Sequence, residues 1–298
     1  KGINFSMSET PCILLVDNGS HRAQATLSLR RIAAALSEKV GHKVNPVSLL
    51  HSTKVDPSEL NGEPAQIFEP FIKAQRKAHG TNSFLIVPLF FGHSAAIYEY
   101  LPQRAVEMRG KGWDDLEIRL APCMVDLQNV DDTGVAEILA NLVRKKIDEK
   151  NLNQPAVTLV DHGTPRIAVN RVRNFLADQL KLILAAETSQ VEASSMERRE
   201  GEAYDFNEPL LENLLGSPGF ENDVVLSMLF ISPGRHAGPG GDIAEICEAG
   251  ERQHDTLMTH MSDLFATHPG LIDLLEKRFQ TGMNSEPALC EVSPADQA

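Results

Sequence analysis

The feature that most constrains the fold is a short segment that occurs twice in the chain. Residues 13–22 read ILLVDNGSHR and residues 158–166 read TLVDHGTPR, so a frame of Val-Asp, Gly, Ser or Thr, and Arg recurs 144 residues later. Each copy is followed by an apolar run that leads into a histidine-containing loop, VPLFFGHSAAIYEYLP from Val87 and SMLFISPGRHAGPGGDI from Ser227. Two landmarks in the same order indicate two copies of one structural unit.

Short apolar runs alternate with segments of helical periodicity throughout both copies. Strands are predicted at residues 11–16, 42–50, 83–91, 117–122, 156–160, 192–196 and 223–231. Helices are predicted at residues 23–40, 63–79, 135–150, 168–184, 208–215, 241–264 and 270–280. This alternation is typical of an α/β fold, and it predicts two tandem domains, each a parallel sheet with helices on both faces, related by internal duplication.

A polar, Asn-rich segment at residues 149–154 predicts the linker between the copies. We therefore expect one domain at residues 11–150 and a second at residues 151–282. Residues 1–10 have the character of a tag or a disordered N-terminus. The tail at residues 283–298 is rich in Pro, Ser and Glu and is predicted to be disordered.

Composition limits the functions open to the chain. The net charge of −13 disfavours nucleic acid as a partner, and no apolar run reaches the ~20 residues that span a membrane. The four cysteines include no C-x-x-C pair, which argues against a thiolate metal site or a disulfide framework and favours a reducing cytoplasm. Neither copy contains G-x-G-x-x-G, so no dinucleotide or other organic cofactor is predicted.

In the second copy, residues of metal-binding type stand just after three predicted strands: His162, Glu197 and His236. Because ligands of parallel sheets bind beyond the carboxyl ends of the strands, we expect these three side chains at one edge. Two imidazoles and a carboxylate suit a divalent ion such as Fe²⁺, Co²⁺, Ni²⁺ or Zn²⁺. For any single histidine a capping or solvated role is the commoner explanation, but the coincidence of three favours a site.

The first copy has none of these residue types at the matching positions. The residues that stand there are Asn18, Leu50 and Ala96. Three histidines lie near those positions without coinciding with them, His21, His51 and His93. They form either a different site or helix caps and surface residues, and the latter is the commoner case.

These segments resemble the signatures of a known family. VDHGT at residues 160–164 resembles the V-G-H-G-S opening of the class II chelatases, and LFISPGRHA at residues 229–237, followed by GGDI, is similar to the family's second signature. Its members, sirohydrochlorin cobaltochelatases and ferrochelatases, insert Co²⁺ or Fe²⁺ into a tetrapyrrole. The resemblance spans residues 11–280 and implies two fused chelatase-like halves, with a degenerate metal site in the first and an intact one in the second.

The resemblance also implies roles for individual residues. His162 and His236 match the family's metal-binding histidines, and Glu197 resembles the acidic residue that some chelatases add. His162 is then a metal ligand and the base that accepts a pyrrole proton, His236 delivers the metal, and Glu197 neutralises charge and receives a proton. Asp242 and Glu245 either orient the histidines or are ordinary acidic residues at a helix N-terminus. The chain departs from the family's usual two-domain members, whose active histidines lie in the first half.

A carboxylate-rich ring such as sirohydrochlorin requires local basic groups in this acidic protein. The arginines near the predicted ligands either bind substrate carboxylates or pair with neighbouring glutamates. The predicted substrate-binding residues are Gly163, Thr164, Arg166, Arg198, Arg199, Gly234 and Arg235. The metal, Co²⁺, Fe²⁺ or Ni²⁺, is expected as a substrate, and the protein as a cytoplasmic monomer or homodimer without a membrane partner. The alternatives are a non-catalytic metal- or tetrapyrrole-binding protein and an interaction scaffold.

Overall fold

The first half of the chain forms a parallel four-stranded sheet in the computed structural model, which describes residues 10–287. Its strands lie in the order β2-β1-β3-β4, with bounds β1 Cys12–Asp17, β2 Val44–Ser48, β3 Ser83–Pro88 and β4 Glu117–Leu120. Its helices are α1 Ala23–Val40, α2 Phe68–His79 and α3 Leu101–Arg109, and a π-helical turn at Ala96–Tyr100 leads into α3. Helix α1 ends where Gly41 adopts a left-handed conformation, as its sequence predicts.

The second half repeats this arrangement. Its parallel strands lie in the order β6-β5-β7-β8, with bounds β5 Ala156–Asp161, β6 Gln190–Ser195, β7 Asp223–Met228 and β8 Met258–Met261. The remaining helices are α4 Gly134–Lys150, α5 Ile167–Ile183, α6 Leu211–Leu214, α7 Asp242–Gln253 and α8 Gly270–Met283. No helix among residues 10–287 is both long enough and apolar enough to cross a membrane.

Strand order and register confirm the predicted duplication. Ile13 pairs with Val44 in the first sheet, and Val157 pairs with Val191 in the second. Val157 lies 144 residues after Ile13, the spacing of the repeated frame, so the two pairs occupy equivalent positions in the two sheets. The structure therefore confirms an α/β fold with two parallel sheets built from one repeated unit.

The compact units do not coincide with the predicted limits of 11–150 and 151–282. Among the described residues, the first unit contains 10–89, Ala95–Cys123 and 275–287, whereas the second contains Phe90–Ser94 and Met124–Leu274. Helix α4 thus belongs to the second unit, where it packs against α5 and β7. Its buried face is almost wholly apolar, so packing against an apolar surface rather than chain order decides which sheet it joins.

Several sequence predictions differ from the observed elements, among them the helix predicted at residues 208–215, which is only the four-residue α6. The helix predicted at residues 241–264 is α7 followed by the short edge strand β8, and the helix predicted at residues 63–79 begins only at Phe68. The helical segment from Ala96 to Arg109 was not predicted. Strand β8 has four residues, Met-Thr-His-Met, without the alternation that signals a strand, and its pairing with β7 establishes it. The predicted disorder at residues 1–9 and 288–298 lies outside the described residues, whereas helix α8 continues through Met283, the first residue of the predicted disordered tail.

Candidate functional site

The structure brings together the three predicted metal-binding residues of the second unit. The rings of His162 and His236 have centroids 4.5 Å apart and meet edge to face, with 67° between their planes. Glu197 Oε1 lies 3.3 Å from His162 Nε2. The side chains follow β5, β6 and β7, so their proximity results from the shared carboxyl edge of three neighbouring parallel strands.

The three side chains do not form a ready-made coordination shell. Across residues 10–287, no group of three or more His, Cys, Asp or Glu side chains is arranged to hold a metal ion. His162 directs Nε2, a metal-binding atom, at the Glu197 carboxylate instead. Glu197 is 62% exposed, so its side chain has room to move when a cation enters between them.

A carboxylate fixes the orientation of His236. Asp242 Oδ2 lies 2.6 Å from His236 Nδ1, and since a carboxylate only accepts, the ring nitrogen donates. In its neutral form His236 therefore carries its proton on Nδ1 and its lone pair on Nε2, which is the usual arrangement of a metal-binding histidine and its carboxylate partner. Asp242 thus has the orienting contact that the sequence left open, while Glu245 lines a neighbouring cavity.

His162 faces an oxygen atom with each of its two ring nitrogens. Nδ1 lies 3.0 Å from the carbonyl oxygen of Gly163, and Nε2 faces Glu197. A neutral imidazole has one N–H and can donate to only one of these oxygens, whereas the protonated ring can donate to both. Each ring nitrogen of His162 therefore has an oxygen acceptor within reach.

Gly163 is required by the backbone. It has φ +90°, and a Cβ there would lie 1.8 Å from the carbonyl oxygen of Glu197. Gly19 occupies the same position in the first unit, where φ is +88° and a Cβ would lie 1.7 Å from the Leu50 carbonyl oxygen. Both copies keep this glycine because two loops touch there. Gly234 is different, since a Cβ on it would meet no atom within 4 Å.

A half-buried carboxylate that was not among the predicted site residues, that of Asp161, lies beneath the His162 loop. Asp161 accepts hydrogen bonds from the Gly163 N–H at 3.0 Å and from the Ser195 hydroxyl at 2.6 Å. Burial raises the pKa of Asp161, and the hydrogen bond from Ser195 and the charge of Arg173 oppose that rise. Asp161 belongs to the repeated Val-Asp frame, so its recurrence in both copies was the signal available in the sequence.

Arg173 is a second residue of this site that the sequence analysis did not predict. It is only 2% exposed, and Nη1 donates to the Ser195 hydroxyl at 2.5 Å and to the Asn207 carbonyl at 2.9 Å. Burial lowers the pKa of Arg173, and Asp161 opposes this shift. An arginine on an amphipathic helix normally indicates the solvent face, so no local signal predicted this position.

Asn207 holds Thr164, a predicted substrate-binding residue of the His162 loop, in place through two hydrogen bonds. Its Oδ1 accepts from the Thr164 N–H at 2.9 Å, and its Nδ2 donates to the Thr164 carbonyl at 2.9 Å. This pairing already uses the backbone groups of Thr164, so only its side chain is available to a substrate. Asn207 lies in a charged segment without periodicity, and sequence reasoning missed it.

The predicted substrate-binding arginines have different surroundings. Arg198 is held within its own segment, because Nη1 lies 2.9 Å from Asp205 and Nε 2.8 Å from Glu208. The guanidinium of Arg199 lies 5.9 Å from the ring centroid of Tyr204. Carboxylates of the same chain therefore already occupy Arg198.

Two further arginines flank the histidine loops. Arg235 is 75% exposed, and its Nε lies 3.7 Å from Asp242. Arg166 is the N-cap residue of α5, and its backbone N–H donates to the Thr164 hydroxyl. The contacts of Arg235 and Arg199 are thus longer than the ion pairs of Arg198.

Two cavities of opposite character lie in the second unit, one lined by His162 and the other by Glu197 and Asp242, the carboxylates that contact the two histidines. The first has a volume of about 260 Å³ and is mainly apolar. Its walls include Phe90, Phe91, Val169, Val172, Leu229, Phe230, His93 and His162. The second has a volume of about 610 Å³ and carries the carboxylates of Glu197, Glu212, Asp242 and Glu245. An apolar, aromatic cavity suits a flat organic ring, and an acidic one attracts cations.

Comparison with known proteins bears on the fold. No protein-family model and no curated protein sequence matches this chain. The structure of SirB from Bacillus subtilis with Fe³⁺ is similar, with a TM-score of 0.62 and 13% identity, over 92% of this chain and 96% of that one. The sirohydrochlorin chelatase SirB from Bacillus subtilis subspecies spizizenii in complex with cobalt gives a TM-score of 0.60 and 14% identity, covering 92% and 96%.

A third similar structure is DR2241 from Deinococcus radiodurans, described as a multi-domain protein with structural similarity to chelatases and two additional novel domains. Its TM-score is 0.60 at 14% identity, over 94% of this chain and 56% of that one. Together these likenesses show a class II chelatase-like fold. The fold implied by the two sequence signatures is therefore confirmed.

Proposed function

We propose that this protein is a chelatase that inserts a divalent metal ion, Co²⁺ or Fe²⁺, into a sirohydrochlorin-type tetrapyrrole. The observation that carries the proposal is the cluster at the edge of the second sheet, where the His162 and His236 rings lie 4.5 Å apart beside Glu197. Its support from comparison is that structures of the same fold hold Fe³⁺ and cobalt.

The donor atoms suit a metal ion that is held only in passing. His236 presents the lone pair of Nε2, because Asp242 keeps the proton on Nδ1. Glu197 offsets the charge of the cation and leaves His162 to coordinate it. Two imidazoles and one carboxylate accept Fe²⁺, Co²⁺ and Ni²⁺ alike, and they leave positions open for the ring nitrogens.

Metal insertion releases two pyrrole N–H protons while the ring nitrogens form bonds to the metal. His162 accepts one proton, after which its two N–H groups donate to the Gly163 carbonyl and to Glu197. The Glu197 carboxylate, exposed to solvent, accepts the other proton and passes it to water. A general base of this kind contributes about 10²–10⁴ in rate.

The two cavities give the reactants separate approaches. The apolar cavity of about 260 Å³ takes one edge of the flat ring against Phe90, Phe91 and Phe230. The acidic cavity of about 610 Å³ concentrates the cation beside Glu197 and Asp242. The ring's outer carboxylates reach the exposed guanidinium of Arg235.

The test mixes the protein with sirohydrochlorin and Co²⁺ or Fe²⁺ and monitors metal insertion by the change in absorbance of the ring. We expect acceleration above the uncatalysed rate, and a loss of at least about 10² in kcat for His162→Ala and for His236→Ala. The matched controls are Asn18→Ala and Ala96→Ser, at the corresponding positions of the first copy, which should retain activity. Metal or ring binding without acceleration would instead identify a non-catalytic binding protein.

A further inference from the structure

The first unit has an imidazole pair at the sheet edge that corresponds to the candidate site. The rings of His21 and His51 have centroids 5.3 Å apart and are tilted by 34°. His21 follows β1 and His51 follows β2, so both come from the carboxyl ends of neighbouring parallel strands. Both residues are exposed, which leaves the pair accessible to solutes.

The backbone at His51 is strained. His51 has φ 69° and ψ −36°, and the Ser52 N–H donates to the Leu50 carbonyl at 2.8 Å. A hydrogen bond across a single residue with positive φ defines a classic γ-turn, a rare and strained conformation for a residue with a side chain. The corresponding residue of the second unit is Arg198, which does not have positive φ. Strain of this kind persists only where surrounding contacts enforce it, and it is concentrated at functional sites.

Buried contacts join the loops that carry the two histidines. Ser52 is fully buried, and its hydroxyl donates to Ser48 Oγ at 2.9 Å and accepts from the Ser20 N–H at 3.2 Å. Ser20 precedes His21 and Ser52 follows His51, so these hydrogen bonds connect the immediate neighbours of both imidazoles. The relative position of the two loops is therefore set by buried contacts, and it brings the two rings to 5.3 Å.

The ring separation fits two imidazoles on one metal ion. Imidazole nitrogen binds Zn²⁺ at 2.0–2.1 Å, so two ligands at a tetrahedral angle place their ring centroids about 5 Å apart. The observed 5.3 Å agrees with that value. The net charge of −13 favours the approach of cations to the protein in general.

We infer that His21 and His51 form a second metal-binding site, separate from that of the second unit, for a borderline divalent cation such as Zn²⁺, Co²⁺ or Ni²⁺. The two imidazoles supply two ligands, and water occupies the remaining positions. A site with open positions exchanges its ion readily. This inference is independent of the proposed chelatase activity.

The experiment measures binding of Zn²⁺ or Co²⁺ alone by titration calorimetry, with the full chain. The His162→Ala/His236→Ala protein serves as the background, because it lacks the histidines of the second unit. We expect this background to retain one equivalent of metal and to lose at least about tenfold in affinity on His51→Asn or His21→Gln. Asparagine tolerates positive φ, so His51→Asn removes the imidazole while keeping the turn. His79→Gln, at the exposed end of α2, is the matched control and should leave binding unchanged.

Paramagnetic Co²⁺ provides a readout specific to the ligands. In the background protein, bound Co²⁺ should shift the NMR signals of two imidazoles. One of these two shifted sets should be missing in the His21→Gln protein, and the other in the His51→Asn protein. Absence of binding in the background up to about 1 mM metal would overturn the inference. So would full retention of affinity in His51→Asn and His21→Gln proteins that keep the wild-type thermal transition.

Discussion

Asp242 accepts a hydrogen bond from Nδ1 of His236 at 2.6 Å, and this contact determines which ring nitrogen faces the candidate site. Asp242 is the first residue of α7, so the start of that helix fixes its position. The register of the repeat places Ala96 and Pro102 at the two corresponding positions of the first copy. The first copy therefore lacks both the histidine and its carboxylate partner.

Replacing Asp242 by Asn should weaken the candidate site without removing a ligand. The amide can accept from Nδ1 but does not offer a negative charge, so His236 becomes a poorer ligand. We expect metal affinity and insertion rate to fall about 10–100-fold, measured by titration and by the sirohydrochlorin assay. Glu245→Gln, in the same helix and lining the same cavity as Asp242, is the control. An equal loss in both proteins would show that only the local charge matters.

Gly163→Ala should destabilise the protein far more than Gly234→Ala. The added Cβ at Gly163 meets the Glu197 carbonyl at 1.8 Å in a backbone region that alanine avoids, whereas at Gly234 it meets nothing within 4 Å. We expect a loss of at least about 2 kcal/mol at Gly163 and a change within about 0.5 kcal/mol at Gly234. Urea unfolding of the two variants measures the difference. Similar values would contradict the close approach of the two loops.

Arg173→Met should be strongly destabilising although it removes a charge from the interior. Methionine fills much of the volume but leaves the Asn207 carbonyl and the Ser195 hydroxyl without their guanidinium partner. Asp161 also loses the positive charge that opposes the rise of its pKa on burial. We expect about 3–5 kcal/mol less stability in denaturant unfolding.

A double-variant cycle with Asp161→Asn tests the electrostatic part of that loss. Neutralising Asp161 should recover part of the stability lost in Arg173→Met. Arg171→Met, at an exposed position of the same helix, is the matched control and should change stability little. Strict additivity of the two substitutions would contradict a coupling between Asp161 and Arg173.

We expect the stability of the protein to depend on pH through Asp17, the counterpart of Asp161 in the first unit. Burial raises the pKa of Asp17 to about 6, and hydrogen bonds from Ser48 and Gly19 only partly oppose this. The folded state therefore binds more protons than the unfolded state between pH values of about 4 and 6, and stability decreases as the pH rises through that range. The decrease is at most about 3 kcal/mol.

Asp17→Asn removes this titration while retaining an acceptor for the Gly19 N–H. The variant should therefore gain stability relative to the wild type as the pH rises from about 4 to 7, as measured by urea unfolding at each pH. A stability difference that stays constant with pH would show that Asp17 does not titrate in this range.

The sequence predicted the architecture of the site through its repeat. The repeated frame sets Ile13 against Val157, and these two residues pair with Val44 and Val191 in the two sheets, so the duplication is visible in both. Their positions after three predicted strands identified His162, Glu197 and His236. Because the carboxyl ends of parallel strands lie at one edge of a sheet, these positions were enough to predict that the side chains meet.

The sequence did not predict what supports the site. Arg173 is polar on an amphipathic helix and Asn207 lies in a charged segment, so the local pattern gave no signal that both side chains are buried. Helix α4 was assigned to the first domain because it follows β4 in sequence, yet its apolar face packs in the second unit. Strand β8 lacks alternation and forms only because the exposed edge of β7 is available for pairing.

The sequence by itself determined the repeated α/β unit, the parallel sheets, and the copy that retains histidines at the strand ends. These follow from local periodicity and from the correspondence of two segments in one chain. Only the tertiary structure decided that Asp242 orients His236, that Arg173 and Asn207 hold the loop of His162, and that His21 meets His51. Those relationships depend on distances between residues far apart in sequence, which are set when apolar surfaces pack and every buried polar group finds a partner.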